Sequence, residues 1–559
     1  MTGSPPKQVL LATILLLCIG PALRAQHGAA ESRWLGPYSM EPVSSGEATQ
    51  WRADLAHLAN ELPRLHASAF HSISRASWDT AVALLDRRIV SLPRHRIIVE
   101  LARLVARIGD AHTSLPVYLS ASARFHVLPL RFGQFDDGLF IEAADSGLRH
   151  LVGARVLAIG GISADSSVAR VVPLISCDNE WWIRSIAPQM LERAEVLHAV
   201  GLAATLDDVM LDLEVGAKRT MARVRPVPGP PPRFGLPLMP AHSANRVEAL
   251  RGDTLPWHLQ DRGNAWYAYA SSARTMYLQI RRMGSHAGES APGEVTRLAV
   301  EEAERRGAER VVVDIRHNLG GNGVLGLAVV RALLRSAYDD PRRLYVVIGT
   351  RTFSAASQLA TLIDTWTRAT FVGEPTGGAP NSYGDHVELT LPNSGLTAFV
   401  APMLYQTSWP FDRRTAVLPV LAAAPTFGEH AAGRDVAWEA VLAHHTTPSL
   451  AAHLAGGDTV EVVLNLRQWI AQPVNRFRDA PAETNAHGYA LLRSGQVADA
   501  VRVFRSNVIV HPRYANGWDS LGEALRAAGD TAASMAAYHR ALELDPGNEN
   551  ARRILGRRP

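Results

Sequence analysis

Between residues 261 and 445 short, wholly apolar runs alternate with amphipathic ones, and this alternation restricts the fold more than any other feature. TMYLQIRRM, RVVVDIR, RLYVVIG and ATFVGEPTGG read as strands, the middle two without a polar face, while APGEVTRLAVEEAERRG and the segments from Val324 and from Ala355 carry helical spacing. Strands apolar on both sides must be covered on both. Parallel neighbours also need a crossover helix, so the pattern predicts an α/β unit on a largely parallel sheet.

With 559 residues the chain exceeds one hydrophobic core and predicts a multidomain protein. Residues 47–122 open with apolar residues three and four apart, broken at Pro63 and Pro93, and read as an N-terminal helical cap. From about Phe125 the period becomes two. FHVLPLRF, GLFIEAA and ARVLAIGGIS then mark a β-rich module over 123–228, in which GARVLAIGG resembles part of a PDZ domain. A Pro-rich run, RPVPGPPPRFGLPLMP, leads through a linker over 229–260 to the α/β core at 261–445. Residues 480–559 resemble an all-α tetratricopeptide pair. Trp518, Leu521, Gly522, Tyr538, Ala541 and Pro546 stand at its signature positions, and Pro512 precedes Pro546 by one ~34-residue period.

The first 25 residues, MTGSPPKQVLLATILLLCIGPALRA, read as a secretory signal peptide, since the apolar run is shorter than the ~20 residues a spanning helix needs. An exported, periplasmic or extracellular protein is expected. The leader contains two cations, Lys7 and Arg24, of a chain whose formal charge is only +4, so nothing points to nucleic acid or to an anionic membrane. Beyond the leader one cysteine, Cys177, and one lysine, Lys218, remain. A Cys-based metal site is not expected, and no cofactor is.

Three separated segments carry chemistry: GDAHTSL (109–115), VDIRHNLGGNG (313–323) and RTFSAAS with FVGEPTGG (351–378). In the second, an apolar strand ends in Asp-x-Arg, and an Asn-x-Gly-Gly turn can aim backbone N–H groups at an oxyanion. In the third, small residues surround Ser354 and Ser357 between a strand and a helix.

Together the segments resemble the serine peptidase family of the C-terminal processing proteases, the tricorn-type core peptidases and the interphotoreceptor retinoid-binding proteins, over residues 50–445. The resemblance implies a catalytic core of the ClpP/crotonase type and registers Ser354 as nucleophile, 19 residues before Gly373. It implies Ala355 and either Gly320 or Gly321 as oxyanion donors, with Asp314 and Arg316 holding the turn together rather than touching substrate. Two departures accompany it: Ser357 stands where members often carry Glu, and Pro419-Val420 where they often show Pro-Asp. The processing-protease branch uses a lysine base after the GEPT segment, and this chain has none there. The tricorn-type branch uses histidine, which matches His112, with His386 as its rival. Asp412 is implied as the residue orienting that imidazole, with Glu374 and Asp435 behind it.

The expected function is thus a secreted serine endopeptidase or carboxy-terminal peptidase acting through an acyl-enzyme on Ser354 with a histidine base. The alternative is an inactive peptide- or lipid-binding protein on the same scaffold, and a small-molecule esterase or amidase is a third reading. Partners implied are a peptide or protein substrate and a protein bound through the tetratricopeptide region.

Overall fold

The computed structural model describes residues 38–118, 123–229, 246–251, 255–285, 288–444 and 448–556. The expected signal peptide and residues 230–240 of the Pro-rich run lie outside the described residues. Among those described, no helix is long and apolar enough to cross a membrane.

Three helices come first: α1 (Ser45–Leu65), α2 (Arg75–Arg88) and α3 (Arg94–Ala106). Ser44 and Ser74 accept from backbone N–H groups of the first turns of α1 and α2 and so fix their starts. The strands β1 (Leu130–Phe135), β2 (Gly138–Asp145), β3 (Arg155–Ile159), β4 (Val209–Val215) and β5 (Lys218–Val224) follow, joined edge to edge as an antiparallel sheet in the order β1-β2-β3-β4-β5. Between β3 and β4 lies α4 (Glu180–Met190), which starts at the Asn179 cap.

The cap and the β module share one continuous apolar core, in which Leu55, Leu62, Ile97 and Val105 join Leu130, Ile141 and Leu211. Leu389, Leu391, Ala398 and Val400, from the hairpin Val387–Thr390 and Thr397–Val400, enter the same core. The residues expected to form a linker are in part structured. Arg246–Glu248 pairs with β2, and Val227–Pro228 pairs with His126–Val127, because the strand edges there offer unpaired backbone groups.

Residues 265–422 form a six-stranded sheet: β6 (Ala265–Ala270), β7 (Thr275–Ile280), β8 (Arg310–Asp314), β9 (Leu344–Ile348), β10 (Thr370–Gly373) and β11 (Leu421–Ala422). β6 and β7 form an antiparallel hairpin and every later pairing is parallel. The crossovers are α5 (Pro292–Arg305), α6 (Gly326–Leu334) and α7 (Ala355–Trp366). Alternate strand residues face opposite layers: Val311, Val313, Val346 and Ile348 pack with Ala299, Leu333 and Leu359 of the helices, whereas Val312, Tyr345 and Val347 pack with Ala437 and Val441. This explains why Val311–Val313 of β8 and all of β9 are apolar on both faces.

The C-terminal region is helical. Its paired helices Ala480–Arg493 and Val497–Val510 precede a second pair, Ala515–Ala527 and Thr531–Leu544. Gly488 admits the Phe504 ring and Gly522 the Tyr538 ring, so the same glycine–aromatic contact recurs in successive pairs. Arg476, just before the first pair, bonds Asp136 of the β1–β2 turn at 2.8 Å.

Candidate active site

The carboxyl ends of β8 and β9 carry the two turns singled out in the sequence. After β8, the buried Asp314 accepts from Tyr277 Oη at 2.7 Å and pairs with Arg316 at 2.8 Å, while Arg316 also reaches both oxygens of Asp435. Asn318 then braces the glycine turn, its Nδ2 donating to the Ile280 carbonyl and its Oδ1 accepting from the Gly320 amide at 2.9 Å. Gly320 and Gly321 have φ of 110° and 131°, a region closed to most side chains.

After β9, Thr352 closes the second turn. Its Oγ1 accepts from the Gly349 amide and donates to the Ile315 carbonyl, tying β9 to β8. Ser354 follows with φ 55° and ψ −128°, an unfavourable conformation for a residue with a side chain, at the junction from which α7 starts. Gly320 approaches so closely that a Cβ placed on it would stand 2.6 Å from Ser354 Cβ. Ser357 is buried, and its hydroxyl donates to the Thr352 carbonyl at 2.8 Å.

His112 comes from the loop after α3. Its Nε2 lies 3.0 Å from Ser354 Oγ, across 242 residues of sequence. The loop is held by Asp110, whose Oδ1 accepts from the amides of His112 and Thr113 and whose Oδ2 bonds His66 Nε2 at 2.9 Å. Thr113 Oγ1 accepts from Ala401, and Ser114 pairs through its backbone with Phe399. The imidazole stacks on Phe353 with centroids 4.5 Å apart, and Phe353 stacks on Trp182 at 4.1 Å. Burial pulls the His112 pKa down to about 4 against the opposing fields of Asp110 and Asp385, while His386 lowers it further. The ring is therefore neutral at pH 7. To accept from Ser354 its proton must be on Nδ1, which has no hydrogen-bond partner among the described residues.

The expected orienting carboxylate is absent from this position. Asp412 accepts from Ser408 at 2.6 Å and pairs with Arg414 at 2.9 Å, and Arg414 holds its carboxyl well below the usual range. The neighbouring guanidinium captures it locally, so it does not reach the imidazole. If the peptidase expectation holds, Asp412→Asn should change kcat/KM by no more than about twofold, as for substitutions away from a site. A loss near ~10⁴, the scale for a relay carboxylate, would return it to the site. Glu374 and Asp435 are also committed elsewhere: Glu374 faces Arg184 at 3.8 Å, and Asp435 pairs with Arg316 and caps the helix Val436–Ala443. His386 packs edge-on against Phe399.

Of the oxyanion candidates, the Gly320 amide is occupied by Asn318. The Gly321 and Ala355 amides donate to no acceptor among the described residues. Sequence reasoning missed the segment 178–182, which clamps the site from outside. Asp178 accepts from Ala111 at 3.0 Å, Asn179 Nδ2 donates to the Thr376 and Thr415 carbonyls, and Trp182 completes the ring stack. Asn179 ahead of EWW was a legible cap signal, but its outward contacts were not.

Residues 515–558 match the family model of a tetratricopeptide repeat. The match covers the second helix pair described above and the helix Glu549–Leu555 after it. No curated protein matches the chain in sequence. Similar solved structures include mature CPAF complexed with lactacystin, at 13% identity and a TM-score of 0.49 over 72% of this chain and 97% of that one. Another structure of mature CPAF aligns at 13% identity and 0.47 over 77% and 99%. The photosystem II D1 C-terminal processing protease aligns at 13% and 0.32 over 71% and 99%.

Proposed function

We propose that the protein is an exported serine peptidase, an endopeptidase or carboxy-terminal peptidase, that cleaves peptide bonds through an acyl-enzyme on Ser354. The observation that carries this reading is the 3.0 Å approach of His112 Nε2 to Ser354 Oγ. A neutral imidazole at that distance takes the hydroxyl proton as Oγ attacks the peptide carbonyl. The uncommitted amides of Ala355 and Gly321 receive the oxyanion of the tetrahedral intermediate. His112 returns the proton to the departing amine, then activates water to release the acid. On this reading the sheet β6–β11 is a ClpP/crotonase-like core, flanked by the helical cap, a PDZ-like module and a tetratricopeptide pair that recruits a protein partner.

The orphaned Nδ1 of His112 favours one second reading, a peptide- or lipid-binding protein that has lost its relay. A serine-directed phosphonate separates the two. The hydrolase reading expects one label per chain on the wild type and none on Ser354→Ala. No labelling of the folded wild type at any pH would favour the binder.

A further inference from the structure

Asp178 stands between two loops of the site and bonds to both. Its Oδ1 accepts from the Ala111 amide at 3.0 Å, one residue before His112, and its Oδ2 accepts from the Ala379 amide at 3.4 Å, at the end of the GEPTGGA loop. Two N–H donors face two carboxylate oxygens. An ionised carboxylate satisfies both, whereas protonation turns one oxygen into a hydroxyl, a poorer acceptor for the N–H that faces it. We propose that Asp178 is a positioning residue that fixes the His112 loop to the 374–379 loop only when ionised, so that one proton on this carboxyl loosens the catalytic base.

The surroundings make that proton exchangeable near neutrality. Burial pushes the Asp178 carboxyl up to about 7, helped by the like charge of Asp110 from the loop after α3 and opposed by the two amides. Cys177 beside it stays a neutral thiol, its pKa raised to about 11. No Lys, Arg or His is bonded to Asp178 among the described residues. Part of the residue's surface remains open to solvent, which gives the proton a path.

The kinetic consequence rests on the Ser354–His112 reading. The wild type should lose activity in two steps on acidification, the first near pH 7 from Asp178 and the second near pH 4 from His112. Asp178→Asn presents an NH₂ to one of the two amides and mimics the protonated form. It should keep only the lower step, with a plateau about 10- to 100-fold below wild type, the cost of a misplaced group. A second readout is independent of activity: hydrogen-exchange protection of the Ala111 and Ala379 amides should rise in the wild type as pH passes upward through this window, and stay flat in Asp178→Asn. The sign of linkage adds a third. A carboxyl whose folded pKa is raised stabilises the fold below its unfolded pKa and loses that contribution as pH rises to the folded value, so Asp178→Asn should lose Tm relative to wild type as pH falls from about 7 to about 4. Persistence of the upper step in Asp178→Asn, or protection independent of pH in the wild type, overturns the proposal. An inactive protein whose Ala111 and Ala379 protection still responds would sink the peptidase reading alone.

Discussion

Removing the Ser354 hydroxyl should lower kcat/KM by about 10⁴- to 10⁶-fold, removing the His112 imidazole should cost nearly as much, and the double variant should be no worse than either. The two groups meet at 3.0 Å, and in the proposed mechanism they perform one step, proton transfer with nucleophilic attack, so either loss would end it. On the same proposal, the activity that survives would come from the amides proposed to receive the oxyanion. Additive losses would mean that His112 and Ser354 act independently and would remove the base from His112. The choice of replacement at Ser354 gives a second result. Its backbone, at φ 55° and ψ −128°, costs about 1–3 kcal/mol for a residue with a Cβ. Ser354→Gly and Ser354→Ala should be equally inactive, yet the glycine variant should be more stable by roughly that amount in denaturant titrations. Equal stability of the two variants would mean that the turn holds no strain.

How far the sequence could be read depends on the range of the forces involved. The core strands β8 and β9 were legible because their surroundings force the runs Val311–Val313 and Leu344–Ile348 to be apolar on both sides, a local signature of burial on both faces. The Ser354 turn was legible from its small residues, and the bracing role of Asp314 and Arg316 only through the family resemblance of the segment that holds them. The lack of lysine and the GDAHTSL motif pointed to His112, which the fold does bring to Ser354. Asp412 illustrates the limit. Its destination is set by Arg414 two residues away, a competition between partners that no spacing rule encodes. Likewise, the shared core of the cap and β module, and the clamp formed by Asp178 and Trp182, arise from contacts between segments far apart in the chain. Apolar periodicity reports only that a face is buried, not which segment covers it.

Gly320→Ala should disable the site while leaving most of the fold intact. Its added methyl would stand 2.6 Å from Ser354 Cβ and 3.0 Å from both Ser354 Oγ and the Ala355 amide, all within the reacting constellation. Ser354 Cβ and the Ala355 nitrogen are fixed by the backbone, so relief requires the Ser354 turn itself to move. The φ of 110° adds strain of about 1–3 kcal/mol. Displacing nucleophile and oxyanion donor together should cost at least the ~10²–10³-fold of losing a single donor, seen as a fall in kcat and in phosphonate labelling. Gly307→Ala is the matching control. It also has positive φ, 62°, but open space where the methyl would go and a position outside the described site. It should lose about 1 kcal/mol of stability, by the backbone term alone, with unchanged kcat/KM. If Gly320→Ala behaved as this control does, the close approach of the glycine turn to Ser354 would have no part in the reaction, and the oxyanion would have to be received by Ala355 and some group other than the 320–321 turn.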